Sequence, residues 1–224
     1  MSAAVLSIGT ELTRGELVNT NAAWLGERLT GLGFEVVEQS TVDDDEVRVA
    51  DALRRLAGRA RVLVATGGLG PTTDDLTTAA VARALGVPLV RDEAALAQLE
   101  RRYASYGRRM PPSNAKQADF PEDATIVPNP NGTAPGFAVD LAGCRAFFLP
   151  GVPSEMRAMF ATSVVPEIAP LAERTTHQEH VRVFGLGESQ VGERLADVAE
   201  GEEGVTLGYR ASFPEIEVKV LARA

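Results

Sequence analysis

Between Val62 and Val81 the chain reads VLVATGGLGPTTDDLTTAAV. An apolar run ends in Gly67, Gly68 and Gly70, and Asp74 and Asp75 follow just before a helical pattern. Glycines let a guest approach the main chain closely, and paired carboxylates attract a cation. A phosphate that arrives with a divalent metal meets both demands. The stretch matches neither familiar phosphate loop: a dinucleotide fingerprint needs glycine where Thr73 stands, and a P-loop needs Gly-Lys-Ser/Thr. What remains is a flexible turn at the carboxyl end of a strand, leading into a helix N-terminus where free N–H groups favour an anion. The plainer alternative is a tight turn with Asp74 or Asp75 as the helix cap.

Other stretches carry candidate chemistry. Asp43-Asp44-Asp45-Glu46 follows a second strand. Two carboxylates from separate loops suit a magnesium-like ion completed by substrate phosphate oxygens; a solvated acidic loop capping the next helix is the alternative. Gly9-Thr10-Glu11-Leu12 follows the first strand and brings Glu11 to the same edge. Asn19, Thr20 and Asn21 stand at a helix start, as caps or as contacts to ligand hydroxyls. Lys116 is one of only two lysines; its place in SNAKQA suits a point charge on a phosphate. The glycines and prolines of NPNGTAPGF and LPGVPSEM mark turns. His177 and His180 are spaced H-x-x-H without a further Cys or His nearby, so they read as linker residues. Cys144 reads as core, and no serine sits in a G-x-S-x-G elbow, which leaves covalent catalysis without an obvious actor.

The elements that must position these groups alternate. Val5–Gly9, Phe34–Val42 and Val62–Thr66 read as strands; Ala22–Leu32, Glu46–Ala57 and Leu76–Leu85 read as helices. This order predicts a mostly parallel sheet covered on both faces, with its loops gathered at one edge. Asp92–Gly107 reads as a helix, followed by RRMPPSNAKQADFPEDA, an excursion too polar to be core. Strand-like pieces fill 125–149, and a helix restarts near Pro153, with Ser154 or Glu155 at its positive end. Ala172–Glu179 reads as a linker, and the tail from His180 as strand, helix, strand, strand. The expected division is 1–172 for an α/β domain and 173–224 for a small α+β module.

Composition narrows the function classes. The chain has 224 residues, 45% hydrophobic and 24% charged, enough for a sizeable core in one or two domains. A formal net charge of −9 argues against a broad nucleic-acid or membrane surface. A single cysteine and the lack of a signal-like N-terminus point to the cytoplasm.

Taken in order, GTELTRGELVNTNAAWL, ATGGLGPTTDDLT, MPPSNAKQA, NPNGTAPGF and LPGVPSEM resemble the CinA family, in its N-terminal domain related to the MoaB and MogA proteins. The resemblance spans about residues 3–170, and the tail is similar to that family's KH-like module. It implies a three-layer α/β/α sandwich. It further implies a metal-dependent pyrophosphatase that splits ADP-ribose-like substrates into AMP and a sugar phosphate. Binding or adenylylation of a molybdopterin-type ligand is the first alternative, and a non-catalytic scaffold the second. The family's aspartates fall on Asp75 and on Asp44, which would hold magnesium, manganese or cobalt; the turn around Asp44 reads Val42-Asp43-Asp44-Asp45 in place of the family's V-G-D-N. Asp74, Lys116 and Glu11 complete the expected catalytic set, with Glu11 or Asp74 as the acceptor of the water's proton. Expected substrate contacts are Gly67, Gly68, Leu69, Gly70, Thr72, Thr10, Asn19, Asn21, Gly151 and Ser154. A homo-oligomer, dimer or trimer, is expected by family analogy. No deamidase activity is expected, because the chain stops at Ala224 where many relatives continue. The acidic tail lacks a basic GXXG clamp, so RNA binding is not expected either.

Overall fold

The computed structural model describes residues 1–201 and 203–223. Its centre is a six-stranded sheet. Strands β1 (Ser2–Ile8), β2 (Glu35–Val42) and β3 (Val62–Thr66) are parallel, with β1 in the middle. The helices between them are the short α1 (Thr10–Thr13), α2 (Thr20–Gly31), and α3 (Glu46–Ala57). Beyond β3 come α4 (Thr77–Leu85), β4 (Leu89–Arg91) and α5 (Glu93–Ser105), then β5 (Asp119–Pro121), which pairs with β4 outside the main sheet. Strands β6 (Thr125–Val127), β7 (Gly136–Leu141) and β8 (Cys144–Leu149) finish the sheet in the order β2-β1-β3-β8-β7-β6. Because β8 runs parallel to β3, four adjacent strands end at one edge. The mostly parallel sheet and its helical layers agree with the expected sandwich.

Alternation along the strands divides two cores. Ala4, Leu6 and Ile8 of β1 face α3, α4 and α5, where Leu53, Leu56, Val81 and Leu99 are buried. Ala3 and Val5 point the other way, against Leu25 and Leu29 of α2 and Met156 and Met159 of α6 (Pro153–Met159). A π-helical turn, Phe160–Val164, carries α6 on into α7 (Val165–Ile168). Such two-sided burial is why β3 is buried throughout, its first four residues apolar without alternation. Cys144 is fully buried, and desolvation pushes its thiol up to about 11, so it stays protonated at neutral pH.

The tail forms an antiparallel sheet in the order β10-β11-β9: β9 (Thr176–Phe184), β10 (Val205–Ser212) and β11 (Glu215–Arg223). Helices α8 (Glu188–Arg194) and α9 (Ala196–Gly201) stand where one continuous helix is expected. Among the described residues no helix is long and apolar enough to cross a membrane.

Two expectations need correction. The excursion after α5 is not too polar to be core: Asn114, Gln117, Ala118 and Phe120 are buried in and beside a 3-10 helix, Pro112–Ala118. Its polar side chains satisfy one another, since Asn114 Nδ2 donates to Tyr103 Oη (2.7 Å) and Gln117 Oε1 (3.1 Å). His177 and His180 are strand residues of β9, not linker residues, because pairing to β11 begins at Thr176.

Candidate functional site

The four parallel strand ends open into a cavity of about 630 Å³. Its wall brings together Glu11, Asn19, Asn21, Asp44, Gly67, Gly68, Leu69, Gly70, Asp74, Asp75 and Gly151 of the expected site. They come from five separate sequence stretches, and parallel topology is what collects them.

The acidic loop after β2 divides its labour. Asp45 caps α3, accepting from the N–H groups of Val47 (3.0 Å) and Arg48 (2.9 Å). Asp43 pairs with the Arg48 guanidinium at 2.6 Å. Asp44 clasps the loop after β1: Thr10 N–H donates to Asp44 Oδ2 (2.7 Å), and the Asp44 N–H donates to the Thr10 hydroxyl (3.2 Å). The capping alternative therefore applies to Asp45, while Asp44 faces the cavity.

The glycine loop has an internal explanation for each glycine. At Gly67 φ is +105°, and a Cβ there would run into the carbonyl oxygen of Ile8. A Cβ on Gly68 would meet the Thr77 hydroxyl, and one on Gly70 the Asp75 carboxylate. The glycines thus let the loop curl against its own strands and helix. The resulting turn leaves the N–H groups of Gly68, Leu69 and Gly70 without a hydrogen bond among the described residues.

Asp75 does not cap α4, whose N-cap is Leu76 with no side-chain bond. Its Oδ2 instead accepts from the N–H (2.9 Å) and the hydroxyl of Thr72, closing the turn from within. The neighbouring Asp74 is exposed; the Thr72 hydroxyl, then its own N–H, hold its carboxyl below the usual range, with Lys116 adding to the effect. Lys116 lies outside the main cavity, in an adjoining hollow of about 100 Å³. Its ammonium donates to the carbonyls of Thr72 and Asp75 (2.9 Å to the latter), so it braces the loop from behind. Gln117 also braces it, donating to the Leu69 carbonyl at 3.2 Å.

Thr10 and Thr72 act through the aspartates they hold and do not themselves line the cavity. Ser154 is exposed outside it. The next residue, Glu155, lines the cavity in its place. Asn129 Nδ2 donates to Glu155 Oε2 (2.7 Å) and to the Ala134 carbonyl (2.8 Å). Asn129 Oδ1 accepts from the N–H groups of Asn131 (3.0 Å) and Gly132 (2.7 Å). That Asx turn was signalled by Asn129-Pro130-Asn131-Gly132, though its link to Glu155 was not. Asn19 caps α2 through the Ala22 N–H (3.0 Å), and Asn21 Nδ2 ties α2 to the Gly151 carbonyl (2.7 Å). The Asn21 carbonyl oxygen is buried there without a partner.

Among the described residues five carboxylates line this cavity, from Glu11, Asp44, Asp74, Asp75 and Glu155, and no Lys, Arg or His does. Among the described residues no three His, Cys, Asp or Glu side chains stand together as a metal cage. Asp44 and Asp75 each commit Oδ2 to protein donors and retain Oδ1. This set fits a hard cation shared with a ligand, in which one or two carboxylates act beside phosphate oxygens and water.

Residues 4–170 match the profile of a family described as "Probable molybdopterin binding domain", and residues 178–224 match the damage-inducible protein CinA KH domain. A CinA-like protein of Geobacter metallireducens is 44% identical over 226 residues, covering 99% of this chain and 54% of that protein. Another, from Geotalea uraniireducens, is 45% identical over 222 residues, covering 98% and 53%. The chain thus spans about half the length of these curated relatives. Among solved structures, a CinA protein of unknown function from Thermoplasma acidophilum aligns with TM-score 0.69 and 36% identity, over 75% of this chain and 97% of that one. The tungsten cofactor synthesizing protein MoaB of Pyrococcus furiosus aligns with TM-score 0.50 and 19% identity, over 77% and 97%, a likeness of fold.

Proposed function

Since the chain belongs to the CinA family, with a MoaB/MogA-type domain followed by a CinA KH domain, we propose that its strand-end cavity binds a nucleoside diphosphate sugar with a divalent cation and hydrolyses the diphosphate. ADP-ribose is the type substrate of this reading, and AMP and a sugar phosphate are its products. One observation carries it. Among the described residues the N–H groups of Gly68, Leu69 and Gly70 have no partner and call for an anion, yet the same cavity has five carboxylates and no basic side chain. An anion alone would be repelled; a diphosphate bearing a cation satisfies both halves.

Each group has a part. The three amides cradle the diphosphate, where fixed N–H dipoles act without reorganising. Asp44 and Asp75 would hold magnesium, manganese or cobalt through their remaining oxygens. Such an ion supplies Lewis acidity at a phosphoryl oxygen and lowers the pKa of bound water. Thr10, Thr72 and Lys116 keep the two aspartates and their loops in place. Asn19, Asn21 and Gly151 line the wall toward which the sugar end would extend.

AMP release from ADP-ribose, measured with each cation and with a matched chelator control, tests this reading. Asp75→Asn is expected to lower turnover by about a hundredfold or more, since it weakens the cation contact. Metal-independent release, or none with any ion, would remove the reaction from this cavity. A pterin-phosphate ligand is the second reading, favoured by the family description matched over 4–170. Calorimetry with a molybdopterin-type ligand against ADP-ribose separates the two. We also propose a homo-oligomer, dimer or trimer, to be read by sedimentation.

A further inference from the structure

We propose that Glu155 is the group that takes the proton from the attacking water, an assignment that rests on the hydrolytic reading above. Four carboxylates compete for this part besides it, and geometry separates them. Asp44 and Asp75 are turned to protein donors and to the cation. Asp74 is exposed and, among the described residues, has no side-chain hydrogen bond to fix its direction. Glu11 has no side-chain hydrogen bond among the described residues to fix its direction. Glu155 is half-buried, and one of its oxygens is held by an asparagine that is only 5% exposed.

The hold on Glu155 is itself secured. Arg102 of α5 donates to the carbonyls of Asn129 (2.9 Å) and Pro130 (2.8 Å), pinning the turn that carries Asn129. Gly132 lies so close that a Cβ would overlap the Glu155 carboxylate, so the turn closes over it. A carboxylate anchored through one oxygen presents the other in a fixed direction, which is what proton transfer requires. Position fits as well. Asp44 follows β2 and Glu155 lies in α6 after β8, on opposite sides of β3 in the sheet order. The glycine amides after β3 lie between them. A diphosphate seated there would have Asp44 toward one end and Glu155 toward the other.

The step balances as follows. The water oxygen forms a bond to phosphorus while its proton passes to Glu155. The bridging P–O bond breaks, and its electron pair leaves on the departing phosphate. Glu155 then releases the proton to solvent.

The test uses the whole chain with ADP-ribose and manganese, comparing wild type, Glu155→Gln and Glu155→Asp. The amide of Glu155→Gln still accepts from Asn129, so its melting temperature should be unchanged. Its kcat is expected to fall by about 10²–10⁴-fold, the usual worth of general-base catalysis, with KM within about threefold. Wild-type kcat in Glu155→Gln, or an effect confined to KM, would overturn the assignment while leaving the hydrolytic reading intact. Should that variant fold poorly, Glu155→Asp decides: withdrawal by one methylene should lower kcat at least about tenfold, and an unchanged kcat overturns it. No AMP from wild type overturns the hydrolytic reading, and this assignment falls with it.

Discussion

The two sheets of this molecule differ in what they can gather. In the large one, β1, β2, β3 and β8 run the same way, so every loop leaving them arrives at one edge. In the tail, β11 runs antiparallel to both its neighbours, so β9 and β10 leave the sheet at one end, beside Glu215, and β11 at the other. The first arrangement converges carboxylates and amides from four adjacent strand ends on one cavity, whereas the second brings only two strand ends to one edge. Their cores differ too. The large sheet is buried on both faces by two extensive clusters, whereas the tail's cluster has, among the described residues, three buried ones, Val191, Ile216 and Val218. Phe184 and Phe213 stay exposed beside it. The candidate site lies beside the sheet that is buried on both faces.

The largest expected effect lies in the deep core. Phe148 of β8 is fully buried and stacks on Phe137, with ring centroids 4.7 Å apart. Phe148→Ala should cost about 3–5 kcal/mol, read by denaturation followed through Trp24, the one tryptophan. Val218→Ala in the tail should cost about 2 kcal/mol and be seen in amide exchange of β9–β11, with the Trp24 transition unmoved. Equal shifts of both signals in the Val218 variant would break the comparison.

A smaller effect is expected at the converging edge itself. Gly67→Ala places a methyl against Ile8 at a positive φ, and should cost about 1–3 kcal/mol or more. The binding loop should be disturbed before the sheet. A wild-type melting temperature with normal ligand affinity would show that close approach of β1 and β3 is not what this glycine serves.

The smallest effect belongs to the tail surface. The His180 hydrogen bond, at 3.1 Å, holds the Glu217 carboxyl below its usual value, with Lys219 assisting. A lowered carboxylate stabilises the fold above its unfolded value near 4.5, and that contribution is lost as pH falls through the folded one. Amide protection in β9 and β11 should therefore decline on acidification below about 4.5, and Glu217→Gln should flatten that decline. An identical acid profile in the variant would remove this pair from the tail's stability.

Periodicity and punctuation were legible along the chain. Buried strands such as Val62–Thr66 and helices such as Glu46–Ala57 appear where the pattern of apolar residues places them. The same holds for Asn19 as a cap, and for the edge where acidic and glycine-rich loops meet. Pairing was less legible: β9 begins within a polar stretch because its partner β11, not its own composition, makes it a strand. The buried polar residues Asn114, Gln117 and Asn129 escaped for a related reason, since each is satisfied by partners the chain brings from elsewhere.

Local sequence by itself determined the alternation of strands and helices in the first half of the chain, the family and the residue types offered at the strand ends, because these depend on neighbours within a few positions. Only the tertiary structure decided which side chain does what. It turned Asp45 to capping and Asp44 to the cavity, sent Lys116 behind the loop, and replaced Ser154 with Glu155. Those choices depend on donors from other strands and helices, and a chain acquires such neighbours only when it folds.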